Sequence, residues 1–196
     1  MPPKIQFTKA DLLRTAFGIT RTYGISAMNA RAIAKKLGCS TQPIFRAFRG
    51  MDEVKNEVMR MAFDWYGLYI TRATAHAPKP YLASGMAYIA FAREEAELFK
   101  LLFMRDRISE GALIEQNDVT LDHVLQLVIN NTGLDYERAQ AFHYNLWIFA
   151  HGLASMIATR FLTMEAAQAE HLLRDQYRAV RALFGLPPIT EDTDAK

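Results

Sequence analysis

Cysteine is almost absent. Cys39 is the single one in 196 residues, so no disulfide within the chain can hold the fold, and a reducing, cytoplasmic setting is expected. Long apolar runs are missing too. The most apolar stretch, Leu146 to Ala158, is 13 residues long and interrupted by His151, Gly152 and Ser155. It is too short to span a bilayer and reads as a buried helix, so no membrane partner is expected. Met1-Pro2-Pro3-Lys4 leads into polar and charged residues rather than an apolar h-region, which argues against a conventional secretory signal. No glycine-rich phosphate loop, nucleophile elbow or paired-carboxylate motif occurs. The histidines, His76, His123, His143, His151 and His171, never fall three or four residues apart, the spacing that places two metal ligands on one helical face. No catalytic residue, metal site or cofactor is therefore expected. The competing enzyme class is a helical metal-dependent hydrolase.

What is present is apolar content and helical periodicity. Hydrophobic residues make up 51% of the chain, enough for a sizeable core, and strand signals are nearly lacking. An all-α fold of about nine helices is expected. Thr8-x-x-Asp11 is a capping box that opens the first helix, with Phe7 and Leu12 placed as a hydrophobic staple. Leu12, Leu13, Ala16, Phe17, Thr20 and Tyr23 repeat at threes and fours as one buried stripe, and Gly24 ends the helix in a left-handed conformation. Asn29 caps a short second helix that Gly38 stops. Ser40 caps a third, with Pro43 in its first turn and Ile44, Phe45 and Phe48 on its apolar side. A long fourth helix runs from Asp52 to about Ala75, up to the breaker His76-Ala77-Pro78-Lys79-Pro80. Further helices are predicted at 81–93, 94–104, 118–132, 135–161 and 164–184. Arg105 to Asn117 is read as a loop, and residues 189–196 as a flexible acidic tail.

Charge is distributed unevenly. Residues 1–60 hold eleven Lys and Arg against four Asp and Glu, whereas the remainder is net acidic. A concentrated cationic third is what a polyanion partner calls for. Two short helices joined by the tight turn Leu37-Gly38-Cys39-Ser40 have helix-turn-helix spacing. The second opens Ser40-Thr41-Gln42-Pro43. Recognition helices read base edges with N-terminal residues: Gln42 can pair bidentately with adenine, and the Pro43 ring and Thr41 methyl can meet a thymine methyl. Arg31, Lys35, Lys36, Arg46 and Arg49 surround this surface and suit phosphates. Double-stranded DNA is the expected partner.

Ile33-Ala34, Gly38-x-Ser40, Ile44-Phe45-x-x-Phe48 and Asp52-Glu53-Val54, in this order and spacing, resemble the TetR family of one-component bacterial transcriptional regulators over residues 7–60. Trp147-x-x-x-His151-Gly152-Leu153 is similar to a segment of some TetR C-terminal domains. The resemblance implies a helix-turn-helix DNA-binding domain at 1–50, a connector helix at 51–75, and a helical effector-binding and dimerisation domain over 51–188. It also implies a repressor that binds a palindromic operator as a dimer and is released by a small-molecule effector. Two departures stand out: Phe45 replaces the usual recognition-helix tyrosine, and Met51 the usual lysine at the start of the fourth helix.

The expected DNA contacts are thus Arg31, Lys36, Ser40, Thr41, Gln42, Pro43, Phe45, Arg46 and Arg49. In the larger domain Trp65, Tyr66, Tyr69, Tyr88, Phe91, Phe103, His143, Trp147 and His151 suit a mostly apolar cavity with a few polar anchors. Basic residues are few there, so a neutral or cationic apolar or aromatic effector is expected. The last two long helices carry apolar residues beyond one buried stripe each, among them Ile148, Met156, Leu172 and Leu183, which points to a two-fold homodimer interface. The alternative is an architectural DNA-binding protein without an effector.

Overall fold

The computed structural model describes residues 7–105 and 119–188, which form nine α-helices, one 3-10 turn and no strand. The helices are α1 (Lys9–Tyr23), α2 (Ala30–Leu37), α3 (Gln42–Ala47), α4 (Met51–Thr74), α5 (Pro80–Glu94), α6 (Ala96–Phe103), α7 (Val119–Thr132), α8 (Tyr136–Ala158) and α9 (Ala166–Leu183), with the 3-10 turn at Ile25–Ala27. The acidic tail and the part of the expected loop that follows Arg105 lie outside the described residues. No described helix is long and apolar enough to cross a membrane.

Packing groups the residues up to Trp65 with Glu95–Arg105 in one compact unit, and Tyr66–Glu94 with the chain from α7 onward in a second. The sequence alone suggested a division at residue 50.

In the first unit α1 packs on α2, α3 and α6. Its N-terminus is closed by the capping box: the Thr8 hydroxyl accepts from the Asp11 N–H at 3.1 Å, and Asp11 Oδ2 accepts from the Thr8 N–H at 2.9 Å. These Thr8 bonds, with Arg14 beside them, hold the Asp11 carboxyl down at about 2. Leu12, Ala16, Ile19 and Thr20 form the buried face. Tyr23 does not continue the expected stripe. It is the last helical residue and is 68% exposed, because the chain turns away immediately after it. Gly24 does have positive φ (+83°), but its ψ of 164° is extended rather than left-handed helical. A Cβ there would meet only the movable end of the Glu97 side chain, at 2.7 Å, so it is the positive φ that favours glycine here.

Asn29 caps α2, accepting from the Ala32 N–H at 3.0 Å. At the other end Gly38 adopts φ +67°, ψ 33°, the Gly38 N–H reaches the Lys35 carbonyl, and the Cys39 N–H reaches that of Ala34 at 3.0 Å. This paired closure is a Schellman motif, and it sends the chain straight into α3. The N-cap of α3 is Thr41 rather than Ser40, and its side chain makes no capping bond. Pro43 lies in the first turn as expected. Ile44 is fully buried and Phe48 nearly so, in a core shared with Leu12, Ala16, Ile33, Val54 and Val58. Phe45 was expected on that apolar side. It sits one position round the helix from Ile44 and is 55% exposed.

In the second unit α5 and α8 make the most extensive pairing, and α7 and α9 pack on both. Val128, Leu134, Phe142, Leu146 and Val180 form one buried cluster, with Tyr81, Tyr177 and Phe184 against it. The apolar periods predict the stripes Phe142, Leu146, Phe149, Leu153, Ile157 in α8 and Ala169, Leu173, Tyr177, Val180, Phe184 at α9; Phe149, Tyr177 and Phe184 are half-buried and the other seven are buried.

The orientation of α3 is testable by contrast. Ile44→Ala should cost about 2–5 kcal/mol, the usual price of a core aliphatic truncation, whereas Phe45→Ala should stay within about 0.5 kcal/mol of wild type. Urea midpoints of the two variants check this, and equal losses would mean that α3 is rotated from the orientation described.

Candidate functional site

Apart from Arg105, the described basic residues of the first unit fall into two groups. On α1, α4 and α6 they are matched by carboxylates: Lys9 with Glu53 at 2.9 Å, Arg14 with Asp11, Arg21 with Glu95, Lys55 with Asp52 at 3.2 Å, Arg60 with Glu57 at 2.6 Å, and Lys100 with Glu97 at 2.7 Å. The exposed pairs among them add little stability, but all of them, with the buried Glu95 carboxylate, use up local charge. Arg31, Lys35, Lys36, Arg46 and Arg49 make no ion pair among the described residues and are all exposed. All five belong to α2, α3 and the bend after it. They are the exposed cations of this segment that no carboxylate matches.

Gln42, Phe45 and Arg46 share one exposed face of α3 by their three- and four-residue spacing, and Arg49 follows just past its end. Ser40 is exposed beside them, while Thr41 and Pro43 are half-buried. The end of α3 is fixed by Glu53. Its carboxylate accepts from the Arg49 backbone N–H at 2.8 Å and from Lys9 Nζ, whose ammonium also lies 4.7 Å above the Phe48 ring. Those contacts, the Arg49 N–H foremost, lower the Glu53 pKa. Lys9 is thereby tied up in the structure, and no sequence signal had singled out Glu53 for this role.

In the second unit the aromatic residues expected to bind a ligand are partly brought together. Tyr66 meets Tyr88 and Phe91 edge-on, with centroids 6.1 and 5.3 Å apart, and Tyr69 meets Phe91 at 5.5 Å. Trp147 stacks on His151 at 5.0 Å, with Tyr144 stacked beyond it at 6.0 Å. The Tyr88 hydroxyl lies 2.8 Å from His151 Nδ1, and Ser155 Oγ lies 3.3 Å from His151 Nε2, so both ring nitrogens face hydroxyl partners and the tautomer sets which group donates in each pair. Burial raises the Tyr88 pKa and lowers that of His151, so both stay neutral near pH 7.

His143 occupies a separate place, with its Nδ1 3.1 Å from the Tyr81 hydroxyl. The two tyrosine–histidine rungs, 81 to 143 and 88 to 151, ascend together, so α5 and α8 run in the same direction here. Two further expected ligand residues belong to the first unit. Trp65 donates its indole N–H to Glu95 at 3.2 Å, and Phe103 packs on Phe99 at 5.2 Å. Glu95 is the residue that sequence reasoning missed. It is buried, receives Arg21 Nε at 2.6 Å and a second bond from Arg21 Nη2, and has the same guanidinium 5.1 Å over the Trp65 ring. Among the described residues no group of three or more potential metal ligands is found.

Residues 81–180, just over half of the chain, match the family described as Tetracyclin repressor-like, C-terminal domain. The chain belongs to the TetR family of transcriptional regulators. Solved structures of similar fold include a TetR-like transcriptional regulator from Rhodococcus sp. RHA1, with 17% identity over 94% of this chain and 99% of that one and a TM-score of 0.60. A second regulator from Rhodococcus sp. RHA1 has 16% identity over 94% and 100%, with a TM-score of 0.62. The ketosteroid transcriptional regulator KstR2 of Mycobacterium tuberculosis has 15% identity over 95% and 98%, with a TM-score of 0.50. At such identities the likeness concerns the fold. No curated protein matches the chain.

In this TetR-family regulator His143 makes the second unit sensitive to acid. Burial holds its pKa at about 4, against an ordinary 6.5. The unfolded chain therefore binds a proton that the folded one refuses throughout that interval. The stability involved is fully present above about pH 6.5 and is lost as the pH falls toward 4, to an extent of up to about 3 kcal/mol. Urea midpoints between pH 7 and pH 4.5 should fall for wild type and fall less for His143→Gln. An identical slope for the variant would show that another group carries the effect.

Proposed function

We propose that the protein is a one-component repressor that binds a palindromic DNA operator as a homodimer and is released by a small apolar or aromatic effector, neutral or cationic. The single observation that carries this reading is that Arg31, Lys35, Lys36, Arg46 and Arg49, on α2, α3 and the bend after it, are exposed and make no ion pair among the described residues, with Gln42 exposed on α3, in a unit whose α1 and α4 cations are matched. Unmatched cations suit phosphates, and Gln42 suits an adenine edge in the major groove. In this reading residues 1–50 act as the DNA-reading head and 51–188 as the effector and dimer domain.

Support for the dimer comes from α8 and α9. Ile148 is 53% exposed and Leu183 71%, Tyr144 is exposed with them, and Met156 and Leu172 are half-buried. A second copy related by a two-fold axis covers such a surface and presents two recognition helices, ~34 Å or one DNA turn apart, to a palindrome. Support for the effector comes from Tyr66, Tyr69, Tyr88, Phe91, His143, Trp147 and His151, a set rich in π faces whose histidines are uncharged. The helix α4 contributes Val54 and Val58 to one core and Tyr66 to the other aromatic set. A ligand that prefers one setting of α4 would change operator affinity, and the operator would change ligand affinity equally, by typically ~1–3 kcal/mol.

Two measurements test the proposal. On duplexes selected from a random pool, Gln42→Ala should relax preference at one base pair by about 1–3 kcal/mol. Arg46→Ala or Arg49→Ala should weaken all duplexes alike and reduce the salt slope by about one. Unchanged affinity and preference in Gln42→Ala would remove it as the reading residue. Light scattering at micromolar concentration should give a dimer that Ile148→Asp weakens, and a wild-type monomer would refute the interface.

A further inference from the structure

We infer that Phe45 is a specificity residue that selects thymine by contact with its C5-methyl group in the major groove. The inference rests on the reading of α3 as the recognition helix and assigns a chemistry to one side chain on it.

The starting observation is an apolar group in a charged place. Phe45 is 55% exposed, although Ile44 before it and Phe48 after it are buried, so more than half of its surface is left open to solvent. By helical spacing it lies on the same face of α3 as Gln42 and Arg46, one turn before Arg49, and neither arginine makes an ion pair among the described residues. Exposure of a phenyl ring is unfavourable in proportion to its apolar area, so a partner that covers it gains binding energy. That partner has to offer an apolar surface flanked by anions. A thymine methyl projecting into the major groove between two phosphate rows has this arrangement, and no other base carries such a group at that position.

The ring also has no donor or acceptor. It cannot bond to a phosphate or to a base edge, which leaves apolar contact as its one mode of recognition. Thr41 and Pro43, the other carbon surfaces at the start of α3, are half-buried and present less area. Gln42 at one helical turn from Phe45 supplies hydrogen-bond readout, so the two side chains together would prefer an adenine and a nearby thymine.

The test uses the full chain. Wild-type protein selects duplexes from a random pool, and each thymine of the enriched sequence is then replaced singly by deoxyuridine, which deletes the methyl and leaves every hydrogen-bonding group in place. Wild type should bind about fourfold more weakly at one or two such positions per half-site, the worth of one buried methyl. Phe45→Ala should bind the thymine and deoxyuridine duplexes equally, while Phe45→Leu, which keeps an apolar contact, should retain part of the discrimination. Enrichment with no deoxyuridine effect in wild type would overturn the inference and leave the DNA-reading proposal standing. Discrimination that survives in Phe45→Ala would overturn it in favour of Thr41 or Pro43. Absence of any enriched sequence would overturn both.

Discussion

A six-residue helix has almost no stability of its own, because nucleation costs more than one turn returns. The surface that α3 offers therefore depends on the burial of Ile44 and Phe48 in the core of the first unit. Those two side chains fix the rotation of the helix about its axis, and so decide that Gln42, Phe45 and Arg46 face outward. The Schellman closure at Gly38 and Cys39 sets where the helix begins, and the Glu53 carboxylate on the Arg49 N–H sets where it ends. Binding energy for DNA can be spent on recognition only because this short element is already ordered by apolar contacts made elsewhere.

Electrostatics adds a second layer to the same design. Carboxylates match the cations of α1, Lys55 and Arg60 of α4 and Lys100 of α6, while those of α2, α3 and the bend after it make no ion pair among the described residues. The excess of basic residues in the first third of the chain is thus converted by folding from a diffuse bias into a local one. The second unit follows another rule. Its buried polar groups satisfy one another: Thr74 with His123 at 2.9 Å, Tyr81 with His143, and Tyr88 with His151. Each of these three histidines meets a hydroxyl rather than a carboxylate.

Much of this was legible in the sequence where the signal is local. Thr8 with Asp11, Asn29 and Gly38 announce helix ends because caps involve residues two to four positions apart. The stripes Phe142 to Ile157 and Ala169 to Val180 announce buried faces by period alone. Readings went astray where a local rule met a tertiary choice. Tyr23 continues the period of α1 but falls at the point where the chain leaves the helix, and Phe45 is apolar yet faces outward because Ile44 and Phe48 already fill the core. Pairs such as Arg21 with Glu95, 74 residues apart, leave no trace in spacing. That Trp65 and Phe103 group with the first unit is likewise a matter of packing that residue type does not announce.

The tryptophans have a consequence of their own. The chain contains two of them, Trp65 in the first unit and Trp147 in the second. One indole donates to a carboxylate and lies beneath a guanidinium, and the other is stacked on an imidazole. Their emission should differ in wavelength and in quenching, so replacing either one by phenylalanine leaves a native fluorophore that reports on a single unit. The molecule thus carries an intrinsic optical label on each half, with which changes in the two can be timed separately.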